Sequence, residues 1–445
     1  MGKMKIARFE LLCIILAIFF SSTLITSAVP YSTTVNQESL ITLTNNQLGT
    51  TDIDLKIATI MDMINEDMLR EYLETLVGYG PRMTGTYGCE KSAEYIYQQF
   101  AEMGLQTRYQ NWTDFGNKFH RGLYKSQNVE GTLKGTNLTD EKIIVFNAHY
   151  DTVRISPGGD DDGSGSAAVL VAAYVLSQFS FNHTIKFVTF SGEEVGLLGS
   201  HAYAKEAYEN NDNIVVELNA DMISYTETPE GGRKCRIYGT QDVEWVLDDI
   251  ETINTDYGID FTFIRSILNE DASRGGSDYF SFVEYGYETV AFFEAEWNRN
   301  MHSLKDNLNN VNFSYLVNTT RLIVGTIAHL ADLEITDPQV YIESPRRGKL
   351  YLEGVEKRDI KDLKTIVVKD IWIWADVKYA SEQIDRAEFY YDDRLAYTDT
   401  EYPFKWHFDR LSVRTHRITV IIYDKLGRNS SYWQDIHFIN IFKNR

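Results

Sequence analysis

The 445-residue sequence predicts an α/β domain, in which a mainly parallel sheet is flanked by helices in three layers, followed by an all-β domain. Two observations carry this prediction. Between residues 60 and 335, apolar runs of strand length alternate with amphipathic runs of helix length, which is the order that builds parallel sheets. After Asp337-Pro338 the apolar runs become short, β-branched and aromatic, and turn residues separate them.

The α/β part starts with two amphipathic helices and then alternates between strands and helices. Helices are predicted at residues 66–77, 89–103, 164–179, 200–209, 242–255, 277–284 and 313–333. Strands are predicted at residues 142–148, 184–190, 214–220, 261–264 and 289–294. If these strands are parallel, their carboxyl ends meet at one edge of the sheet, where open α/β sheets bind ligands.

The C-terminal part, residues 338–445, is predicted to be a β-sandwich that is Ig-like in size and strand count. Its strands are predicted at residues 340–342, 365–375, 386–391, 404–408, 416–423 and 432–441. Its tryptophans are predicted to be mainly core residues rather than a binding platform, and they are Trp372, Trp374, Trp406 and Trp433. The domain can contact a cell surface, a polymer or its own α/β domain, and the sequence leaves these alternatives open.

The net charge and the N-terminal sequence indicate which partners the protein can bind and where it works. With 64 acidic against 43 basic residues, the net charge of -21 disfavours nucleic acid as a partner. Basic residues, an apolar run and small residues follow one another in 1–28, which predicts a secretory signal peptide before a polar segment, 29–59. We therefore expect a secreted or cell-surface protein, with an uncleaved N-terminal membrane anchor as the alternative. No obligate protein partner is evident.

Two cysteines, Cys89 and Cys235, follow the predicted signal peptide. They can form one disulfide or remain as two buried thiols, because a single sequence does not show whether they are close. Their spacing is not that of a thiolate zinc site.

A set of polar residues stands at the ends of apolar runs in the α/β part. The set consists of His149, Asp151, Asp161, Glu193, Glu194, Asp221 and His302. Zinc binds imidazole nitrogen and carboxylate oxygen, so two histidines with several carboxylates can hold two zinc ions that share a water. Zinc lowers the pKa of bound water to about 7, which makes hydroxide available near neutral pH. The constellation therefore predicts a two-metal hydrolase site.

Each of these motifs also has a plainer interpretation. His149 can be satisfied at a strand end, although the two-residue spacing puts Asp151 on the same side, where a carboxylate can orient an imidazole. Three aspartates at 160–162 can cap the following helix, or one of them can bridge two cations. In Glu193-Glu194, one glutamate can bind a metal while the other acts as general base on the bound water.

Taken together, the motifs resemble the co-catalytic zinc exopeptidases of the bacterial leucyl aminopeptidase type. The motifs that carry the resemblance are Gly80-Pro81-Arg82, His149-Tyr-Asp151, Asp161-Asp162-Gly-Ser-Gly165, Gly192-Glu193-Glu194, Asn219-Ala-Asp221 and His302-Ser-Leu-Lys-Asp306. They occur in the order of that family, and the similarity spans roughly residues 60–335, so this part is expected to be a zinc peptidase domain with a zinc exopeptidase-like fold. The C-terminal sandwich lies outside the resemblance.

The resemblance also implies a role for each site residue and two zinc ions per chain. One zinc ion would be held by His149 and Asp221 and the other by Glu194 and His302, with Asp161 between them. Glu193 would act as the general acid and base in catalysis, and Asp151 would orient His149.

The function that the resemblance implies is that of an exported aminopeptidase, which removes N-terminal residues from peptide substrates by means of metal-bound hydroxide. Carboxypeptidases and glutaminyl cyclases share the scaffold, and a catalytically silent surface-binding protein is a further alternative. The sequence departs from the family at Met301 and Tyr279, where many members have Tyr and His. Arg274 and Ser277 are expected to border the substrate pocket, although Ser277 can instead cap a helix.

Overall fold

One eight-stranded mixed sheet organises the N-terminal part of the computed structural model, which describes residues 54–137, 141–240, 243–267, 276–333, 340–360, 364–377, 384–425 and 429–441. Its strands are Gln106–Phe115 (β1), Leu123–Leu133 (β2), Ile143–His149 (β3), Thr184–Phe190 (β4), Ile214–Ala220 (β5), Lys234–Gly239 (β6), Thr262–Ile267 (β7) and Thr289–Glu294 (β8). The strand order is β1-β2-β4-β3-β5-β8-β6-β7. The four central strands, β4, β3, β5 and β8, run parallel.

Helices cover both faces of this sheet. They are Leu55–Met63 (α1), Glu66–Gly78 (α2), Tyr87–Glu102 (α3), Gly163–Leu176 (α4), Leu198–Glu209 (α5), Glu244–Asp256 (α6), Tyr279–Glu284 (α7) and Phe313–Asp332 (α8). On one face α4 is buried along nearly its whole length and packs against α2 and α8, forming the main hydrophobic core. On the other face α5 and α7 close a second core over Val145, Val188 and Phe190.

The predicted α/β fold class is confirmed, because all five predicted strands and all seven predicted helices are present with shifts of a few residues at their ends. The domain also contains α1, which begins at Leu55, before the expected boundary at residue 60. Three strands, β1, β2 and β6, were not predicted. The edge strand β1 buries only Gln110 and Trp112, and the edge-near strand β6 is short and half polar, so neither shows a continuous apolar run.

The described residues of the C-terminal part form strands and no helix, in two sheets consistent with a β-sandwich. Its strands are Val340–Ser344 (β9), Lys349–Leu352 (β10), Val355–Asp359 (β11), Thr365–Val368 (β12), Ile371–Val377 (β13), Ile384–Tyr391 (β14), Arg394–Asp399 (β15), Phe404–Phe408 (β16), Thr415–Asp424 (β17) and Asn429–Ile439 (β18). Seven of them form one sheet in the order β11-β10-β12-β18-β17-β14-β15, and three form the other in the order β16-β13-β9.

Two predictions for this part were wrong. Residues 365–375 are two strands rather than one, because the chain turns at Lys369, whose φ is 72°, and passes from the large sheet into the small one. Trp372 and Trp374 are not core residues, since 47% and 44% of their surfaces are exposed. Their neighbours Ile371 and Ile373 point inward instead, as the two-residue period of a strand requires.

Several sequence predictions fall outside the described residues, namely the signal peptide at 1–28, the polar segment up to residue 53, and Arg274. None of the helices in the described part of the chain has the length and apolar character that a membrane crossing requires. The open question about the cysteines is answered, because Cys89 and Cys235 are both free and buried.

Candidate metal centre

The parallel strands deliver the polar residues to one edge of the sheet. His149 is the last residue of β3, Asp221 follows β5 directly, and Glu193 and Glu194 follow β4 after two residues. His302 lies in the loop after β8. Because β4, β3, β5 and β8 are neighbours and point the same way, their carboxyl ends converge, and the predicted site residues come together there.

The first candidate group consists of His149, Asp161 and Asp221, which are all buried. The His149 Nε2 atom lies 3.5 Å from Asp161 Oδ1 and 3.7 Å from Asp221 Oδ1. The other ring nitrogen, Nδ1, lies 3.0 Å from the Asp151 carbonyl oxygen. A proton on Nδ1 for that hydrogen bond leaves the Nε2 lone pair free to bind a cation.

The second candidate group consists of Asp161, Glu194 and His302. The His302 Nε2 atom lies 3.0 Å from Asp161 Oδ2 and 3.1 Å from Glu194 Oε2. Asp161 therefore turns one oxygen toward each histidine and belongs to both groups. His302 is half-exposed and has a φ of 59°, a backbone conformation that an L-residue rarely adopts and that is common at functional sites.

The donor atoms of both groups fit zinc. Atoms about 2 Å from a tetrahedral zinc ion lie about 3–3.5 Å from one another, close to the separations at His149 and His302. Asp221 Oδ1 is buried and has no hydrogen-bond partner, which is costly for a carboxylate unless a cation takes that position. Each histidine offers nitrogen and each carboxylate offers oxygen, the ligands that zinc accepts.

Electrostatics at this edge favour a cation. Burial and, to a smaller extent, the neighbouring Glu194 carboxylate together raise the pKa of Asp161 to about 7, against the opposing effect of the hydrogen bond from His302. Hydrogen bonds that the His302 ring donates to Asp161 and Glu194 raise its pKa to about 10. Without a cation, the site would therefore take up protons to balance its carboxylates. Bound divalent ions would balance the carboxylates in place of protons and would favour their ionised form.

The three consecutive aspartates have different partners. Asp162 caps α4, since its carboxylate accepts from the backbone of Gly165 at 2.9 Å and of His149 at 3.1 Å. Asp160 accepts from Ser224 Oγ at 2.6 Å and from Asn298 at 2.8 Å. Only Asp161 lies in the metal-binding groups. The helix cap that the sequence offered for this run is thus present on Asp162, and the candidate for a shared cation ligand is Asp161.

Glu193 and Asp151 lie beside the first group. The backbone N–H of Glu193 donates to Asp151 Oδ1 at 3.2 Å, and the hydroxyl of Thr84 donates to Asp151 Oδ2 at 2.7 Å. Asp151 Oδ1 also lies 3.7 Å from His149 Nδ1. Burial raises the pKa of Glu193, and the nearby Glu194 raises it further. Its side chain lines the cavity, so it can exchange a proton with a molecule bound there.

A cavity of about 500 Å³ opens over both groups. One wall is aromatic, with Phe293 in edge-to-face contact with Tyr238 at 5.4 Å and with Tyr279 at 6.3 Å between ring centroids. Ser277 and Met301 line the same cavity, and α7 begins after Ser277 without a side-chain cap. Ser277 therefore borders the cavity, as one of its two sequence interpretations held.

Sequence reasoning missed Tyr238, Phe293 and Glu294, which also line the cavity. Glu294 ends β8 at the same edge as the site and keeps one buried carboxyl oxygen without a hydrogen-bond partner. The position of Glu294 at a strand end could have identified it as a site residue. Tyr238 could not be identified from the sequence, because β6 was not predicted and the Tyr238 side chain reaches the cavity through the antiparallel pairing of β6 with β8.

Comparison with known proteins agrees with this site. Residues 128–327 match the model of peptidase family M28. Leucine aminopeptidase 1 of Ajellomyces capsulatus is 28% identical over 210 residues, which cover 43% of this chain and 53% of that protein, so the chain spans about half the length of this relative.

Solved structures of two other proteins show the same fold. A zinc aminopeptidase from Bacillus subtilis superposes with a TM-score of 0.51 at 18% identity, covering 61% of this chain and 96% of that one. A glutaminyl cyclase from Bacteroides thetaiotaomicron gives a TM-score of 0.51 at 16% identity, covering 60% and 98%. At these identities the likeness concerns the fold alone.

The fold and the shared-aspartate site define the α/β domain as that of a metallopeptidase with two candidate metal-binding groups. Residues 128–327 are thus similar to peptidase family M28, and the relatives of this part of the chain include leucine aminopeptidases.

Proposed function

We propose that this protein is an exported zinc aminopeptidase that binds two zinc ions and removes N-terminal residues from peptides. His149 and Asp221 would hold one ion, Glu194 and His302 the other, and Asp161 both. The observation that carries the proposal is the pair of candidate groups sharing Asp161 at the floor of a cavity that Glu193 also lines. The match of residues 128–327 to family M28 and the likeness to a zinc aminopeptidase support zinc as the metal.

Bound zinc would supply a nucleophilic water near neutral pH and would polarise the scissile carbonyl. The residues of the chain supply the rest. The Glu193 carboxylate would take the proton of the attacking water and return it to the leaving amine, because it lines the cavity without belonging to either metal-binding group. Asp151 would hold the His149 ring and the Glu193 backbone in place through its contacts with both.

The cavity favours a free N-terminus over a free C-terminus. Carboxyl groups line the cavity beside the metal-binding groups, where they can attract an ammonium group. Among the described residues, the arginine that lines the cavity is Arg236, and it already donates to the Ala295 carbonyl oxygen at 3.0 Å. A carboxypeptidase would need a cation free to bind the substrate carboxylate.

Glutaminyl cyclisation is the second candidate, since a solved cyclase shares the fold. It would need one zinc ion rather than two. The two complete candidate groups favour the aminopeptidase, and they also weigh against a catalytically silent binding protein.

The test is zinc content and hydrolysis of aminoacyl nitroanilides for protein made from residue 29, comparing wild type with Glu193→Gln. Both proteins should hold about two zinc ions, and the variant should lose about 10²–10⁴-fold in kcat because only the proton acceptor is removed. Glu209→Gln, an exposed residue of α5, serves as the matched control and should keep full activity.

Equal activity in Glu193→Gln would sink the proposed role of that residue. One zinc ion per chain together with cyclisation of peptides that begin with glutamine would favour the cyclase instead.

Export is supported by the composition of residues 1–28. We predict that expression of the whole gene in a secreting host releases protein that starts at Val29, as read by N-terminal sequencing of the medium. Recovery of chains that still carry Met1 in the membrane fraction would support the anchor instead.

A further inference from the structure

The outer face of the three-stranded sheet exposes a row of aromatic side chains. Along β13, Ile371 and Ile373 point into the sandwich core and are buried, whereas Trp372 and Trp374 point outward with 47% and 44% of their surfaces exposed. Two positions apart on one strand, their Cα atoms are about 7 Å apart. Large apolar surface that is left exposed on a folded domain is a common mark of a binding site.

The neighbouring strand β16 fixes this row from one side. His407 lies opposite Trp372, with the ring centroids 4.8 Å apart and the ring planes inclined by 31°. Lys405 lies opposite Trp374, and its ammonium group is 5.5 Å from the centre of a Trp372 ring. His407 is held in turn by Asp370, whose carboxylate is 3.0 Å from Nε2. The ring of Trp372 is thus flanked by polar groups of both charges.

Two tyrosines extend the row at its other end. The hydroxyl of Tyr402 donates to one oxygen of Asp376 at 2.9 Å, and the hydroxyl of Tyr341 donates to the other at 3.1 Å. Tyr402 exposes 56% of its surface. We call Trp372, Trp374, Tyr341, Tyr402, Asp376, Lys405 and His407 the aromatic platform. Contacts among these side chains already restrict their conformations, so ordering them when a ligand binds would cost little free energy.

The side chains of the aromatic platform favour one chemical class of ligand. A sugar ring offers C–H groups on its face, which pack on indole and phenol rings, and hydroxyl groups at its edge, which need donors and acceptors. The platform places aromatic faces beside a carboxylate, an ammonium group and an imidazole, and so it meets both requirements.

Charge argues against other partners. The chain carries a net charge of -21, which repels acidic polysaccharides, nucleic acids and anionic lipid surfaces. Asp370 and Asp376 lie beside the aromatic residues, whereas a surface that binds anionic membranes carries clustered lysine and arginine there. A neutral ligand is not repelled by this negative charge and can still form hydrogen bonds with the polar side chains of the platform.

We propose that the aromatic platform binds neutral glycan chains, so that the C-terminal domain attaches the protein to a polysaccharide. This inference does not depend on the proposed peptidase activity, because the platform and the metal-binding groups belong to different domains.

The test is binding of the full chain to insoluble cellulose and chitin and to soluble mannan and β-glucan, measured by depletion and by affinity electrophoresis. Wild type should bind at least one of these. The double variant Trp372→Ala/Trp374→Ala should bind it at least tenfold more weakly, since base and sugar rings alike gain much of their affinity from aromatic stacking. Tyr397→Ala, which removes a half-exposed aromatic residue of β15 in the other sheet, is the matched control and should bind like wild type.

Hydrolysis of aminoacyl nitroanilides and the melting temperature of each variant show whether it has folded. If the double variant unfolds, Lys405→Ala and Asp376→Asn replace it, and each should weaken binding at least threefold. The proposal is overturned if wild type binds none of the four glycans, or if the folded variants bind as tightly as wild type. Preferential binding to alginate or to phosphatidylglycerol vesicles, or dimerisation that the double variant abolishes, would overturn it as well.

Discussion

At Glu217 the central strand β5 buries a carboxyl group in the middle of the α/β domain. Asn147 on β3 donates to one oxygen, and the other oxygen has no hydrogen-bond partner among the described residues. Burial raises the pKa of Glu217 well above its ordinary value of 4.5, although the hydrogen bond from Asn147 opposes this. Burial in the folded protein therefore favours the protonated form of Glu217, which has no charge to desolvate.

The variant Glu217→Gln should change how stability depends on pH. In wild type the raised pKa contributes stability that is complete below the ordinary pKa and is lost as pH rises toward the folded value. Glutamine cannot ionise, so the variant should melt close to wild type at pH 5 and above it at pH 8, with a gap that widens with pH. Thermal unfolding followed by circular dichroism at three pH values measures this. A gap that stays constant between pH 5 and pH 8 would contradict the account.

Among the elements, the loop that carries Asp161 depends on distant side chains. Arg82 is fully buried and donates to the carbonyl oxygens of Pro157 at 2.7 Å and Gly158 at 3.0 Å. Asp306 accepts from the backbone N–H groups of Asp160 at 2.8 Å and Asp161 at 3.3 Å. The metal-binding carboxylate is thus positioned by residues more than 70 positions away in the chain.

Replacing Asp306 with Asn should loosen this loop without unfolding the domain. One of its two acceptor oxygens becomes an amide donor, which cannot accept from a backbone N–H group. Because outer groups that orient metal ligands typically contribute 10–100-fold in metal affinity, zinc should dissociate about 10–100-fold more readily. Competition with a chromogenic chelator measures this, with Lys305→Ala as the neighbouring exposed control. Unchanged zinc affinity in Asp306→Asn would show that the loop is held by Arg82 alone.

Elements with strong local patterns could be predicted, and those that depend on pairing could not. The strand 184–190 was placed to the residue because it is rich in apolar and β-branched residues and is followed directly by Ser191-Gly192. β1 was missed because its side chains are mostly exposed and its order comes from pairing with β2. The polar site residues were predictable as strand-end residues. The exposure of Trp372 was not predicted, because tryptophan is usually well buried, whereas here Trp372 alternates with the buried Ile371 and Ile373 along β13.

For the molecule as a whole, Arg347 joins the two domains. It follows β9, and its guanidinium donates to the Glu284 carbonyl oxygen at the end of α7 and to the Trp433 carbonyl oxygen in β18 at 2.6 Å. Its Nε atom also donates to the Tyr432 hydroxyl at 3.1 Å. A single side chain therefore bonds both to the α/β domain and to the large sheet of the sandwich.

Removing this side chain in Arg347→Ala should uncouple the two domains. Hydrogen bonds to a charged group contribute about 1.5–3 kcal/mol each, so calorimetry should show one cooperative transition in wild type and two separated ones in the variant. Arg346→Ala is the control, since the Arg346 side chain is partly exposed and pairs with the nearby Glu343. It should shift unfolding by less than about 1 kcal/mol. A single transition in Arg347→Ala would mean that other contacts hold the domains together.

The two buried thiols have a practical consequence. Cys89 and Cys235 expose 1% or less of their surfaces, and burial raises the pKa of each thiol, to about 11 and about 12. Neither should react with maleimide dyes in the native protein, because the reactive thiolate is scarce and shielded. A cysteine placed at an exposed position of each domain would then be labelled alone. The native chain made from residue 29 is therefore a ready background for fluorescence energy transfer, by which the distance between the domains can be followed during turnover.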